Sequence, residues 1–176
     1  MDALQRLIPQ RAIQRRVRVL AAELSRDYRG RSPLFLGVLK GAYVFLADLT
    51  RLMDDSPEID FIQLSSYGLK GTVGSDKINV CLRPGSDLRG RDVVVVEDIV
   101  DTGRTLRFLR RYVARRGPAS LRVCALLVRT HAGNEKERLV DYCGFTVDEG
   151  WLVGYGLDLS EKYRHLRDLH VVEGTP

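Results

Sequence analysis

The chain has 176 residues, of which 44% are hydrophobic and 29% are charged. That length can bury a substantial core and the apolar content argues against disorder, so we expect one folded domain over residues 1–176. We expect no membrane-spanning helix, because no apolar run approaches the roughly 20 residues that such a helix needs. The formal charge of +5 favours anionic partners, from phosphorylated metabolites to nucleic acid, without choosing between them.

The cysteines and histidines indicate neither a disulfide framework nor a metal site. The three cysteines form no even set and no metal-ligand spacing, and the three histidines show no spacing typical of catalysis. Buried thiols in a reducing compartment account for the cysteines, so we expect a cytoplasmic protein.

Short apolar runs alternate with segments of helical periodicity along most of the chain. Strands are predicted at 33–39, 59–65, 77–82, 93–96, 121–128, 142–147 and 152–155, and helices at 9–28, 42–53 and 106–116. This alternation predicts an α/β fold whose mainly parallel sheet is flanked by helices on both faces. Such sheets bind ligands beyond the carboxyl ends of their strands, where we expect the functional site. The glycine-bearing segment 65–77 predicts a flexible loop of the kind that closes over active sites.

Two adjacent acids, Glu97 and Asp98, follow a run of four valines at 93–96. A uniformly apolar run of β-branched residues is typical of a strand buried on both faces. Carboxylates at the end of such a strand are costly to bury unless they meet solvent, a cation or ligand hydroxyls. The pair is therefore a candidate for binding a cation or a sugar diol.

A short turn rich in hydroxyl groups leads from this acidic pair into the third predicted helix. Its residues are Asp101, Thr102, Gly103, Arg104 and Thr105. The glycine allows close backbone approach, the threonines offer hydroxyls, and the start of a helix presents unpaired N–H groups, which together suit a phosphate. A phosphate cradle beside diol-binding carboxylates describes a site for a ribose 5-phosphate. The alternative is a helix start in which the Thr and Asp side chains serve only as caps.

The segment VVVVEDIVDTGRTL at 93–106 resembles the phosphoribosyl pyrophosphate-binding signature of type I phosphoribosyltransferases. Further matches resemble the hypoxanthine-guanine branch of that family: GVLKG at 37–41, SSYG at 65–68, VGYGLD at 153–158 and KYR at 162–164. The resemblance implies a Rossmann-like fold with a flexible catalytic loop at about 65–77. It also implies a small base-binding hood formed by about 145–176 together with N-terminal residues.

The resemblance implies transfer of the 5-phosphoribosyl group from phosphoribosyl pyrophosphate to N9 of hypoxanthine or guanine. The products would be IMP or GMP and pyrophosphate, formed through an oxocarbenium-like transition state with Mg²⁺ as cofactor. On the donor side, Glu97 and Asp98 would hold the ribose hydroxyls, and the turn at 101–105 would hold the 5′-phosphate. Asp101 would also face the purine N7 as the catalytic base or acid, with a helix cap as the alternative role.

Departure of a highly charged pyrophosphate needs positive charge, and the resemblance assigns residues to that task. The implied pyrophosphate contacts are Lys40, Gly41, Ser66, Tyr67 and Arg164. The loop that carries the first two often contains a cis peptide in this family. The implied metal-associated carboxylates are Glu97, Asp98 and Asp158. Oxygen ligands of this kind suit Mg²⁺.

The resemblance assigns purine binding to Arg129, Trp151 and Leu152. Trp151 takes the position of the aromatic residue, usually phenylalanine, that stacks on the base, while Leu152 would contribute backbone groups only. Arg129 replaces a lysine that donates to the exocyclic O6 of 6-oxopurines. Arginine keeps the donor as a planar fork, so rejection of adenine should persist, while the ranking of hypoxanthine, guanine and xanthine stays open.

Two other functions fit parts of the same sequence. Pyrimidine attenuation proteins resemble this family, carry a similar Thr-Gly-Arg-Thr turn and bind messenger RNA, and arginines on the third predicted helix could bind RNA phosphates. Those arginines are Arg107, Arg110, Arg111, Arg115 and Arg116. Such regulators lack the Gly-Tyr-Gly-Leu-Asp segment found at 154–158, which favours the enzyme. The second alternative is a phosphoribosyltransferase that prefers xanthine.

The resemblance also implies partners. Besides the substrates and products, we expect a second copy of the chain, in a homodimer or homotetramer assembled through the predicted helix at 42–53. Nucleic acid and membranes are not expected partners of the enzyme.

Overall fold

The computed structural model describes residues 3–67, 77–130, 139–148 and 150–173. Its helices are α1 (Gln10–Asp27), α2 (Tyr43–Thr50) and α3 (Arg104–Ala114). Its strands are β1 (Leu4–Ile8), β2 (Leu34–Leu39), β3 (Glu58–Tyr67), β4 (Lys77–Leu82), β5 (Asp92–Val100), β6 (Ser120–Arg129), β7 (Tyr142–Val147), β8 (Trp151–Val153) and β9 (Leu169–Val172). No helix within these ranges is long and apolar enough to cross a membrane.

A six-stranded sheet forms the centre of the fold, in the order β4-β3-β2-β5-β6-β7. All neighbouring strands in it are parallel except β3 and β4, which are antiparallel. Strand β5 is central because its four valines are fully buried. Val94 and Val96 pack on the side of α1, whereas Val93 and Val95 pack on the side of α3. The predicted mainly parallel sheet with helices on both faces is therefore confirmed.

The helices pack against this sheet through stripes of apolar residues at helical spacing. In α3 the buried stripe is Leu106, Leu109 and Val113. In α1 it is Ile13, Val17, Leu20, Ala21 and Leu24. The periodicity predicted both helices, although α3 begins at Arg104, two positions before the apolar stripe does.

A second, three-stranded antiparallel sheet joins the two terminal segments of the chain, in the order β1-β9-β8. The family resemblance assigns these segments to a base-binding hood, and that role stays a prediction. The sequence pattern did not predict β1 and β9, because each is short and mixes polar with apolar residues. Their pairing partners lie far apart in the chain, as Leu4 opposite Val172 illustrates.

Three strands extend further than the sequence pattern predicted, and β6 does so by one residue at each end. Strand β5 continues through Glu97 and Asp98 to Val100, so the acidic pair lies within the sheet and not just beyond it. Strand β3 runs to Tyr67, so the first residues of the predicted flexible loop are strand. The rest of that loop, 68–76, lies outside the described residues, as do the side chains of Ser66 and Tyr67.

Candidate active site

A cleft of about 260 Å³ opens at the carboxyl ends of β5 and β6, below β8 of the three-stranded sheet. Its lining residues are Asp98, Ile99, Asp101, Arg129, Trp151, Leu152, Leu157 and Asp158. Six of these eight were singled out from the sequence, from segments up to 60 positions apart. The parallel strands bring them together because their carboxyl ends meet at one edge of the sheet.

The two acids of β5 lie next to each other in the strand but differ in their surroundings. Asp98 faces the cleft. Glu97 is only 7% exposed, and its Oε2 has no hydrogen-bond partner. Burial raises the pKa of Asp98 to about 6. Burial, together with the charge of Asp98, raises the pKa of Glu97 well above its usual range.

The backbone at Gly41 approaches the acidic pair so closely that a side chain has no room. A β-carbon added at Gly41 would overlap the carboxylate of Asp98, and one added at Gly156 would overlap the carbonyl oxygen of Gly41. Gly156 also has a positive φ of 102°, which favours glycine. The Leu39–Lys40 peptide bond that precedes this contact is cis. Three segments distant in sequence therefore meet at one corner of the cleft.

The turn after β5 leaves its polar groups exposed at the same edge. Asp101 and Thr102 are exposed, and Gly103 has a left-handed φ of 72° immediately before α3 begins. Gly103 holds the capping position and makes no side-chain cap, so Asp101 is not the helix cap. The Arg104 N–H donates to the Thr102 hydroxyl over 3.4 Å. The structure thus favours a capping contact by Thr102 and not by Asp101. The other N–H groups of the first turn are candidates for binding an anion.

Arg129 connects the candidate catalytic acid to the segment before β8. Its Nη1 donates to the carbonyl oxygen of Asp148 and its Nη2 to that of Gly150. Its Nε lies 3.7 Å from an Asp101 carboxylate oxygen, and only 11% of the Arg129 side chain is exposed. Sequence reasoning assigned this arginine to the base alone and missed the two backbone contacts.

Trp151 stands at the rim of the cleft with half of its surface exposed. Its indole Nε1 donates to the carbonyl oxygen of Asp158 over 3.2 Å, which holds one edge of the ring. The neighbouring Leu152 is buried at the base of the cleft. An exposed aromatic face above a cleft is available for stacking on a flat ligand.

The cations assigned to pyrophosphate are already paired with acids. Arg164 Nη2 lies 2.7 Å from Asp158 Oδ1 and 3.2 Å from Glu161 Oε2. Lys40 Nζ lies 3.1 Å from the other oxygen of Glu161. Arg164 Nη1 also donates to the Gly156 carbonyl oxygen over 2.7 Å. A single carboxylate thus joins the two cationic side chains.

Three residues of the site region were missed from the sequence: Ile99, Leu157 and Glu161. Leu157 lies inside a matched motif, so that motif was the available signal. Ile99 looks like any strand residue, and Glu161 lies in a polar stretch with no pattern of its own. Among the residues that the structure describes, no group of three or more His, Cys, Asp or Glu side chains is arranged to hold a metal ion.

Comparisons with known proteins show the family of this chain. Residues 5–160 match the family model of the phosphoribosyl transferase domain. A hypoxanthine-guanine phosphoribosyltransferase of Bacillus subtilis is 38% identical over 167 residues, which cover 95% of this chain and 92% of that protein. The crystal structure of the Leishmania donovani hypoxanthine-guanine phosphoribosyl transferase matches with a TM-score of 0.88 at 36% identity, covering 99% of this chain and 98% of that one.

Another relative is much longer than this chain. The bifunctional protein TilS/HprT of Listeria monocytogenes is 43% identical over 160 residues, which are 91% of this chain but 24% of the Listeria protein. The chain therefore spans about a quarter of the length of that relative. Since one family model covers most of its residues and the signature turn lies at the mouth of the cleft, the chain belongs to the phosphoribosyltransferase family.

Proposed function

We propose that this protein is a purine salvage enzyme, a hypoxanthine-guanine phosphoribosyltransferase. It transfers the 5-phosphoribosyl group from phosphoribosyl pyrophosphate to N9 of hypoxanthine or guanine and releases IMP or GMP with pyrophosphate. The observation that carries this proposal is the convergence of Asp98, Asp101, Arg129 and Trp151 on one cleft beside the 101–105 turn. The names of the Bacillus and Leishmania relatives support it.

The donor would bind across the carboxyl edge of the sheet. Its 5′-phosphate fits the 101–105 turn, where the exposed threonine and the start of α3 offer O–H and N–H donors. Its ribose hydroxyls fit the carboxylates of Glu97 and Asp98. Its pyrophosphate fits the corner between Gly41 and Arg164. The family resemblance also assigns Ser66 and Tyr67 to the pyrophosphate.

Asp101 is the proposed catalytic residue. It lines the cleft, and its carboxylate lies 3.7 Å from Nε of Arg129. From this position it would accept or donate the proton at purine N7 while the N9 bond to ribose forms. Leu152 and Leu157 supply apolar wall to the same cleft.

Mg²⁺ is the proposed cofactor, associated with the carboxylates of Glu97, Asp98 and Asp158. Desolvated carboxylates with raised pKa values are costly without a cation, and Glu97 Oε2 has no hydrogen-bond partner. Mg²⁺ keeps several waters and needs only one or two carboxylates, so a compact cluster of three ligands is unnecessary. When bound, the ion would neutralise charge on the departing pyrophosphate.

Base selection would rest on Trp151 and Arg129. The indole face stacks on the purine, and backbone groups of Leu152 meet its edge. A guanidinium has five N–H groups, so Arg129 keeps donors for a 6-oxo group after its contacts with Asp101 and two carbonyl oxygens. Adenine is disfavoured because it carries an amino donor at C6, where the 6-oxopurines carry an acceptor. A xanthine preference remains the second candidate because Arg129 stands in place of lysine.

The RNA-binding alternative is less well supported. Of the five arginines that could bind RNA, three already form contacts within this chain. Arg110 pairs with Asp141, Arg107 donates to the carbonyl oxygen of Thr102, and Arg116 donates to the carbonyl oxygen of Tyr112. Arginines engaged in this way present less free charge to a phosphate backbone.

We further propose a cytoplasmic homodimer or homotetramer assembled through the α2 region. Tyr43 and Leu52 at the two ends of this region are 44% and 40% exposed, and Ile59 and Phe61 on the adjacent β3 are also exposed. Large apolar side chains left exposed on these two elements support burial against a second copy of the chain.

The direct test of the function is an assay with phosphoribosyl pyrophosphate and Mg²⁺, supplying hypoxanthine, guanine, xanthine, adenine and uracil in turn. We expect turnover with hypoxanthine and guanine and none with adenine or uracil, because the cleft offers donors to a 6-oxo group. A preference for xanthine would select the second candidate. Conversion of uracil alone, or of no base, would contradict the proposal.

Substitution Arg129→Lys tests the base-reading role. We expect conversion to persist with a changed ranking of hypoxanthine, guanine and xanthine, because an ammonium replaces the planar fork and the two carbonyl contacts are lost. The measurement is kcat/KM for each base. An unchanged profile would show that Arg129 does not take part in selecting the base.

Substitution Asp101→Asn tests the catalytic role. We expect kcat to fall by about 10²-fold or more with little change in donor KM, because the amide keeps the shape but cannot accept the proton. Asp87→Asn is the matched control, since Asp87 is exposed before the opposite end of β5 and should leave kcat unaltered. Parent-level turnover in Asp101→Asn would refute the role.

Substitution Asp98→Asn tests the electrostatic cost of the site. Because the folded pKa of Asp98 is raised to about 6, the folded protein holds that proton more tightly than the unfolded chain, and the free energy of unfolding falls as pH rises from about 4 to 6. At pH 8 the amide should therefore raise the free energy of unfolding by about 1–3 kcal/mol while abolishing turnover.

Denaturant unfolding of the ligand-free proteins at pH 8 and pH 4 measures this effect. At pH 4 the parent already carries the proton, so the two proteins should differ much less. An equal difference at both pH values would contradict the desolvation account.

A further inference from the structure

Glu161 bridges the two cationic side chains assigned to pyrophosphate. Its Oε1 lies 3.1 Å from Lys40 Nζ and its Oε2 lies 3.2 Å from Arg164 Nη2. The two cations belong to segments more than 120 residues apart in sequence, and this one carboxylate pairs with both of them. The contacts lower the pKa of Glu161, so it is ionised at neutral pH.

The backbone at Glu161 is one that glutamate rarely adopts. Ser160 and Glu161 have left-handed φ values of 52° and 63°, at the tip of a two-residue turn. The flanking Leu159 and Lys162 close this turn by donating N–H groups to each other's carbonyl oxygens over 3.3 and 3.1 Å. Asn-Gly suits such a turn best. A glutamate held in a disfavoured conformation beside a site suggests that its side chain has a task there.

The chemistry of the two partners indicates that task. Lys40 and Arg164 offer N–H donors and positive charge, which a diphosphate and a carboxylate both satisfy. One carboxylate spans both cations, so an anion of pyrophosphate size can span them too, but not while Glu161 stays in place. Glu161 is 65% exposed in its side chain, so it can leave for solvent without unpacking the core.

We propose that Glu161 is an internal competitor for the pyrophosphate subsite: its carboxylate pairs with Lys40 and Arg164 in the empty site, is displaced by the diphosphate of the donor, and returns as pyrophosphate departs. This inference rests on the proposed function, because it needs a diphosphate ligand at that corner. Its effect is to weaken binding of pyrophosphate while keeping the two cations positioned between turnovers.

Isothermal titration of the full chain with inorganic pyrophosphate and Mg²⁺ tests the proposal, comparing the parent with Glu161→Gln. Glutamine keeps the size and removes the charge, so we expect the Kd for pyrophosphate to fall by about two- to tenfold at low salt. The Kd for IMP should not change, because its phosphate belongs to the 101–105 turn. Glu161→Asn, which suits the left-handed turn, serves as a second variant and should behave alike.

Two further variants separate competition from turn geometry. Ser160→Gly relaxes the left-handed turn but keeps the carboxylate, so its Kd for pyrophosphate should equal that of the parent. In a Lys40→Met background, Glu161→Gln should give a smaller gain in affinity for pyrophosphate, because the ion pair between Lys40 and Glu161 is already absent. A full gain in that background would contradict competition at Lys40.

The outcomes distinguish this inference from the function on which it rests. If pyrophosphate binds Glu161→Gln and Glu161→Asn no more tightly than it binds the parent, the competitor role is wrong. The proposed function is not affected by that result. A parent that binds neither pyrophosphate nor IMP overturns the proposed function and this inference together.

Discussion

The contact between the Asp98 carboxylate and the backbone at Gly41 is the constraint on which the site depends. No side chain fits at Gly41 without overlapping that carboxylate, and Gly156 packs as closely against the Gly41 carbonyl oxygen. The end of β5, the start of α2 and the segment after β8 are therefore held together by backbone packing. This close packing fixes the corner of the cleft before any ligand arrives, which reduces the ordering cost of binding.

Charge is distributed unevenly over the site. On one side, Glu97 and Asp98 are desolvated, with pKa values raised by burial. On the other side, Arg164 Nη2 and Lys40 Nζ are paired with acids of the chain itself. A ligand that brings a divalent cation together with a diphosphate would serve both sides. The cation would neutralise the two carboxylates, and the diphosphate would replace the acids that pair with Arg164 and Lys40. The arrangement is costly for folding and useful for binding a charged donor, as functional sites commonly are.

Local patterns predicted the central sheet, the helices and the position of the signature turn. The four valines of β5 indicated a strand buried on both faces, and the parallel topology then located Asp98 and Asp101 at a ligand-binding edge. Contacts between distant segments were not predictable: β1 pairs with β9, Arg129 reaches the carbonyl oxygens of Asp148 and Gly150, and Glu161 joins Lys40 to Arg164. Each depends on the packed tertiary structure and leaves no periodic signal in the sequence.

The central claim is that the turn following the acidic pair grips the phosphate of a ribose 5-phosphate. A crystal structure of the chain with bound IMP tests this most directly. The account predicts the phosphate at the start of α3, within hydrogen-bond distance of the Thr102 or Thr105 hydroxyl, with the base against Trp151. An IMP molecule bound elsewhere, with the turn left free of phosphate, would contradict it.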